Sequence, residues 1–431
     1  MANRLNPISR QRFHASAPRK KVRYLAVRSI CVVMAFTCLL ACAEKLAAKE
    51  LKKVDPAEAG LDAKRLDKID EIVARGLAEK KMPGCVVCLG RRGKIAMLKA
   101  YGMRQLLPRE LPMTTDTVFD LASITKPVAT ATSIMILVER GQLRVDDTVD
   151  SIVAGFGQKQ KESITVFDLL THQSGLLPDN ALADYEHGSE EAIRRIGELG
   201  LRAPTGTKFI YSDVNFIVLG EIVRRVSGKS VAEFSRQQIF EPLGMRETQF
   251  VPDETLRERA APTERRDGRW IQGEVHDPRA HFMGGVAGHA GLFSTAADLA
   301  IYADAMLEQG ASGSTRILSV PMFEAMTQSR SVPRMPVAMP ADAKETNPTA
   351  ATVVHRGLGW DMRRTVAGNR GEGWSDTAFG HGGFTGTVLW IDPNRDLFFI
   401  FLSNRVHPDG KGVINPLAGE IATVIADAIV R

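Results

Sequence analysis

The sequence predicts an α+β fold in which an antiparallel sheet is flanked by N- and C-terminal helices and carries an inserted, mostly helical subdomain. Three observations lead there. Paired strand-like runs occur early, around residues 84–102, and late, around 386–404. The long stretch between them has helical period and helical end signals. One amphipathic helix stands before the first pair and another after the second. A sheet assembled from both ends of the chain, around helices, satisfies that order.

The elements follow in turn. From Asp62, a helix-capping residue type, Leu66, Ile69, Ile72, Val73 and Leu77 recur at helical spacing until Pro83 and Gly84 end the pattern, which predicts one helix. The runs GCVVCLG and KIAMLKAYG, joined by Arg91, Arg92 and Gly93, predict a hairpin. Cys85 and Cys88 stand three apart on its first strand, so they point to opposite faces about 10 Å apart and read as core residues. From Ser123 to about Phe240 the chain reads as helices, with capping boxes at Thr165/Asp168 and Ser230/Glu233 and stops at Gly141, Gly200 and Gly228. Another helix follows Ser294 or Thr295 and carries Leu299, Tyr302, Met306 and Leu307. Residues 331–350, with Pro333, Pro336, Pro340 and Pro348, read as a surface excursion without fixed structure. GTVLWI and LFFIFLSN predict a second hairpin about residues 392–396. A last helix begins near Asn415 and Pro416, with Leu417, Ile421, Val424 and Ile425 on one side.

Charge is uneven along the 431 residues. The first 28 carry eight Lys or Arg and no Asp or Glu, against a net of +6 for the whole chain, so the remainder is slightly acidic. That excludes the basic footprint of a nucleic-acid binder. The apolar run from Ser29 to Ala41 is too short to span a bilayer and has the length of an export-signal core. The chain therefore divides into an export signal (1–41), a tether (42–56) and a main domain (57–431) with its helical subdomain at about 120–310. Leu39-Leu40-Ala41-Cys42 resembles a lipobox, which would lipidate Cys42 and attach the protein to a membrane. Ala41-Cys42-Ala43 equally fits ordinary cleavage and release. The expected location is the periplasm or cell envelope.

Chemistry concentrates at Ser123. It is the one serine in the chain with a lysine three residues on, Lys126. Pro127 and the apolar helix pattern after it put Ser123 at a helix start, with the Lys126 amine in reach of its hydroxyl. A serine needs a neighbour to take its proton, and the helix N-terminus favours a developing oxyanion. Downstream come Tyr211-Ser212-Asp213 and His381-Gly382-Gly383-Phe384. In this order the motifs resemble the serine β-lactamase and penicillin-binding-protein superfamily, in the branch of class C β-lactamases, D-Ala-D-Ala carboxypeptidases and esterases, read through S-x-x-K, Y-x-N and H-x-G. The stretches LLTHQSGL, EPLGM, GGVAGHAGLFSTAADLA and GFTGTVLWIDP add to the likeness, which covers about residues 57–431.

The resemblance implies a β-lactamase/transpeptidase-like fold and an acyl-enzyme on Ser123. It implies Lys126 as general base, Tyr211 as proton relay, and the backbone N–H groups of Ser123 and Phe384 as oxyanion hole, with Gly382 and Gly383 letting substrate lie against the strand. Two departures bear on the substrate. Asp213 replaces the usual Asn; it can only accept hydrogen bonds, and its charge should keep Lys126 protonated and move base duty toward Tyr211. His381 replaces the lysine of most β-lactamases and gives a weaker hold on a carboxylate.

No cofactor is expected: the glycine cluster lacks the G-x-G-x-x-G and Walker spacings. His276, His281 and His289 match no standard zinc spacing, so no metal is expected either. G-x-S-x-G is absent, and Ser174 reads as a turn residue. The expected function is an exported serine hydrolase of carboxylic esters or D-amino-acid peptides, with esters narrowly ahead. A β-lactamase is the enzymatic alternative, and an inactive cell-wall-peptide receptor or scaffold the non-enzymatic one. Its partner is a small-molecule or peptide acyl substrate.

Overall fold

The computed structural model describes residues 51–333, 353–362 and 368–430. The stretch 1–41 read as an export signal, Cys42 and all but the first three residues of the stretch read as an excursion at 331–350 lie outside them. The main sheet contains β1 (Lys52–Lys53), β2 (Gly84–Arg91), β3 (Lys94–Gln105), β4 (Leu111–Pro112), β5 (Arg330–Pro333), β6 (Val353–Arg356), β7 (Asp361–Met362), β8 (Phe379–Gly383), β9 (Thr387–Asp392) and β10 (Leu397–Ser403). Their spatial order is β1-β3-β2-β10-β9-β8-β7-β6-β5, with β4 on β3. The early hairpin thus pairs with the late one through β2 and β10, as a sheet built from both chain ends requires. Arg92 and Gly93 both take positive φ in the first turn, as a two-residue hairpin loop demands.

Both faces of this sheet are covered, which is why its central strands are apolar without alternation. Along β10, Leu397, Phe399 and Phe401 face a core made with α1 (Lys68–Ala78) and α5 (Asn415–Asp427), where Ile69, Val73, Leu417, Ile421 and Ile425 are buried. Phe398, Ile400 and Leu402 face the other core, with α2 (Thr132–Glu139), α3 (Asp213–Ser227) and α4 (Ala296–Leu307). Cys85 belongs to the first core and Cys88 to the second, so they lie on opposite faces. On the first side Leu61 bridges Ile429 and the Asp62 N–H donates to the Ala428 carbonyl at 2.8 Å.

Several elements differ from the sequence reading. The sheet is not wholly antiparallel: within the stretch read as a tether, Lys52 and Lys53 pair in parallel with Lys94 and Ile95, so the fold begins by residue 52. The first helix is two pieces, Ala63–Leu66 and α1, because the Asp70 N–H bonds to the Asp67 carbonyl three residues back. That tightened turn keeps Leu66 and Ile69 on one buried face. Gly200 does not stop its helix. Ser189–Glu198 ends before it, and the Lys161 amine closes the end by donating to the carbonyls of Gly197 (2.8 Å) and Leu199 (2.5 Å). Residues 331–333 are not an excursion but part of β5, paired with β6, and Pro333 is tolerated there because β5 is the sheet edge. The helical middle also holds short strands, Phe119–Asp120 and Gln249–Phe250 on either side of Leu292–Ser294. Its last helix, α4, packs on the main sheet through Leu299 and Ala303, in one core with Cys88 and Ile400.

The two body cysteines are free and buried, and burial pushes their thiol pKa values up, that of Cys88 to about 12. Iodoacetamide at mildly alkaline pH should therefore leave both peptides unmodified in native protein and label both in concentrated guanidinium, as read by peptide mass mapping. Rapid native labelling of either would contradict the burial.

Candidate active site

Ser123 sits in a tight turn, Ala122–Ile124, after the short strand Phe119–Asp120. A π-turn at Lys126–Ala131 and then α2 follow. Ala122 is held at φ +45°, a left-handed conformation that a side chain disfavours, and the surroundings impose it. Asp120 accepts the Ala122 N–H at 2.8 Å with one carboxylate oxygen and the His276 N–H at 2.7 Å with the other. The Asp120 carbonyl accepts the Thr385 hydroxyl at 2.7 Å, and that of Leu121 accepts the Thr387 hydroxyl at 3.0 Å. The Ser123 turn is thereby pinned against the β8–β9 turn. Gly383 is required by this contact, since a Cβ there would collide with Leu121 O and Thr387 Oγ1. Its missing side chain makes room for protein rather than for substrate alone.

Lys126 is completely buried, and its amine makes three contacts: Ser123 Oγ at 2.8 Å, the His289 carbonyl at 3.1 Å and Asp213 Oδ1 at 2.6 Å. Burial by itself would lower the lysine pKa. The Asp213 carboxylate, with Tyr211 adding in the same sense, outweighs it and holds the pKa above that of an ordinary lysine. The amine is an ammonium at neutral pH, as the Asp213 departure implies. Asp213 stands there because Ser212 caps α3, its hydroxyl accepting the Asn215 N–H, which leaves Asp213 in the first turn.

Tyr211 is about one-third exposed, with Lys126 Nζ 5.1 Å from its ring centre. His172 packs beneath it at 4.6 Å between ring centroids and accepts the Ser212 N–H at 3.1 Å through Nδ1. Burial, reinforced by Arg356 and Lys126, keeps His172 neutral. On the opposite wall His381 is buried. Its Nδ1 donates to the Gly382 carbonyl at 2.7 Å, and burial, with Arg356 and Lys126, drives its pKa well below the ordinary value. It is a neutral ring and brings no charge to a carboxylate. Seven of the eight site residues read from the sequence, Ser123, Tyr211, Asp213, His381, Gly382, Gly383 and Phe384, line one cavity of about 690 Å³, and Lys126 lies directly behind Ser123.

The three histidines tested for metal binding do not converge. His276 goes to Glu264 (2.6 Å), His281 to Glu274 (3.1 Å) and His289 to Asp277 (2.9 Å). Among the described residues one group offers clustered ligand atoms: Asp213, Asp277 and His289, within 4.8 Å of one another. Asp213 there is already neutralised by the Lys126 ammonium. Asp277 lies far below the usual carboxylate range; burial would raise it, but His289 and the Ala280 N–H outweigh burial. Ser174 is a buried turn residue, bonded to Asn215 and to the Leu176 N–H.

Sequence reasoning assigned no role to Asp120, His172, Asp277 or the His289 carbonyl. The Gly284–Gly291 stretch holds that carbonyl on Lys126. Gly288 permits it, because any Cβ would strike the Phe216 carbonyl and Gly220 of α3. Asp120, three residues before the serine, was the legible clue, since a carboxylate there can cap the turn.

Comparison with known proteins identifies the family. A 34% identical relative from Bacillus subtilis (strain 168), an N-acetylmuramyl-L-alanine amidase, aligns over 83% of this chain and 85% of its own. A protein of Escherichia coli (strain K12), with the provisional designation of a D-alanyl-D-alanine carboxypeptidase, is 30% identical over 83% of this chain and 86% of its own. Among solved structures, a penicillin-binding-protein homologue from Caulobacter crescentus superposes with a TM-score of 0.67 at 21% identity, covering 86% of this chain and 99% of its own. The Beta-lactamase family model matches residues 69–423, and the chain belongs to that family of serine hydrolase folds.

Proposed function

We propose that the protein is an amide hydrolase of cell-wall peptides, muramyl peptides first among them, acting through an acyl-enzyme on Ser123. The observation that carries this reading is the ammonium of Lys126 held between Ser123 Oγ and Asp213. Tyr211, whose ring centre lies 5.1 Å from that ammonium, acts as the base and takes the serine proton as Oγ attacks the carbonyl carbon. The backbone N–H groups of Ser123 and Phe384 receive the oxyanion. Tyr211 then returns the proton to the leaving nitrogen as the C–N bond breaks, and water hydrolyses the ester by the same path reversed. An amine must be protonated as it departs, whereas an ester's leaving oxygen has less need, so a proton-loaded site suits amides. The relatives named as an amidase and a carboxypeptidase support the same bond class. The neutral His381 argues against substrates gripped by a carboxylate beside the scissile bond, which places penicillins and D-Ala-D-Ala behind muramyl amides. Esters remain the second reading, on that same neutrality.

A fluorophosphonate should add its mass to the peptide containing Ser123, and Ser123→Ala should abolish turnover of a muramyl-L-alanine amide, a D-Ala-D-Ala peptide, p-nitrophenyl butyrate and a cephalosporin alike. The amide should be turned over best. Lys126→Ala should cost about 100- to 10,000-fold in acylation rate. Label on another serine, or near-normal turnover without Lys126, would sink the mechanism; an intact fold with no turnover of any substrate would favour the receptor or scaffold.

Asp213→Asn should move the Lys126 titration to lower pH, because the carboxylate that raises it is gone while burial remains; ¹³Cε NMR of lysine reads this directly. The wild-type pair stabilises the fold below the lysine's unfolded pKa and loses that contribution as pH rises through the higher folded value. The variant's stability deficit should accordingly be present at neutral pH and shrink in strong alkali. An unmoved titration would remove Asp213 from this role.

We further infer export. The precursor should be shortened near Cys42 on bacterial expression and recovered outside the cytoplasm. Detergent-dependent solubility lost in Cys42→Ser marks lipidation, and a soluble chain starting at Glu44 marks free release; uncut cytoplasmic protein refutes both.

A further inference from the structure

We propose that Phe384, with Arg405 and His276 around it, forms a subsite for the sugar ring of a muramyl peptide beside the scissile amide. This rests on the amide-hydrolase reading of Ser123. Phe384 is 61% exposed, as is Val413, and both line the cavity that contains Ser123. Large apolar side chains kept in water at the mouth of a reactive pocket mark a ligand surface.

The ring is already placed. His276 stacks on it at 5.5 Å and 22°, and the Arg405 guanidinium lies 4.4 Å from its centre. Arg405 is fixed in turn by donating to the carbonyls of Gly412 (2.8 Å) and Gly410 (3.4 Å), and His276 by Glu264 at 2.6 Å. A ring so braced loses little freedom when a ligand covers it. The surface is amphipathic: one aromatic ring bordered by a guanidinium and a half-exposed carboxylate, Glu264. A plain hydrocarbon chain would desolvate those charges without replacing their hydrogen bonds. A pyranose presents C–H groups on its face and hydroxyls around its edge, and matches both features. Phe384 directly follows Gly383, which abuts the Leu121 carbonyl two residues before Ser123, so a sugar packed against the exposed part of the ring adjoins the reacting carbonyl.

The test compares two amides with the same scissile bond and no carboxylate beside it, N-acetylmuramyl-L-alaninamide and 2-methoxypropionyl-L-alaninamide; the second keeps the ether and lacks the sugar. Wild type should prefer the first by about tenfold or more in kcat/KM, the order an aromatic contact supplies. In Phe384→Ala and Phe384→Leu that ratio should fall toward one, and Phe384→Trp should keep it, with circular dichroism confirming the fold. Equal wild-type rates, or a ratio unchanged in the Leu variant, would overturn the subsite while leaving the amidase reading intact. If neither amide is turned over, the amidase reading fails and binding decides the subsite. N-acetylmuramic acid methyl ester, titrated calorimetrically into Ser123→Ala, should bind about tenfold more tightly than into Ser123→Ala with Phe384→Leu. Equal binding, or none in either, overturns it.

Discussion

A lysine ammonium with no solvent contact is the constraint on which this molecule turns. Its charge costs several kcal/mol to bury unless every donor is met and a counter-ion is at hand. The acceptors come from three separate places: the serine one turn earlier, the first turn of α3, and the glycine-rich stretch before α4. Each must arrive within hydrogen-bond distance, so the helical region can close in only one arrangement. Asp277 and His289 belong to the same set of contacts, since the residue whose carbonyl receives the lysine has its side chain fixed by a carboxylate.

The sheet supplies the opposite wall and cannot move independently of it. Thr385 and Thr387 bond to the backbone of Asp120 and Leu121, so the serine turn and the His381–Phe384 strand end form one rigid unit. Behind them the sheet is buried on both faces, with alternate residues of one apolar strand feeding two cores. The strand end at His381–Phe384 is therefore carried by a sheet packed on both faces.

Much of this was legible in the chain, for identifiable reasons. Both hairpins, both capping boxes and the helix after Thr295 carry local signals, and local signals survive tertiary packing. The eight candidate residues that gather around one cavity could be picked out because their spacing in order carries a family likeness. What escaped depended on contacts across long sequence separations. Nothing near Gly200 announces that Lys161 will cap the helix in its place, nor that Lys52 will pair with Lys94. His172 is an ordinary histidine until Tyr211 is laid over it, and the position of Asp120 hints at a capped turn but not at the tie of its second oxygen to His276. The π-turn after Ser123 has no signal either; it arises where the serine turn is docked on one side and α2 on the other.

The contact between Leu61 and Ile429 bears on how the polypeptide could be rewired. Because the segments around Leu61 and Ile429 lie side by side, a short linker could join them, and the covalent order of elements could be restarted at an exposed turn such as Arg92-Gly93 without changing which strands are neighbours. Connectivity at the ends is thus separable from the architecture of the pocket, which draws on residues 120–126, 211–213 and 381–384, all well inside the chain. Evolution or an engineer could append modules at either end and leave the chemistry untouched.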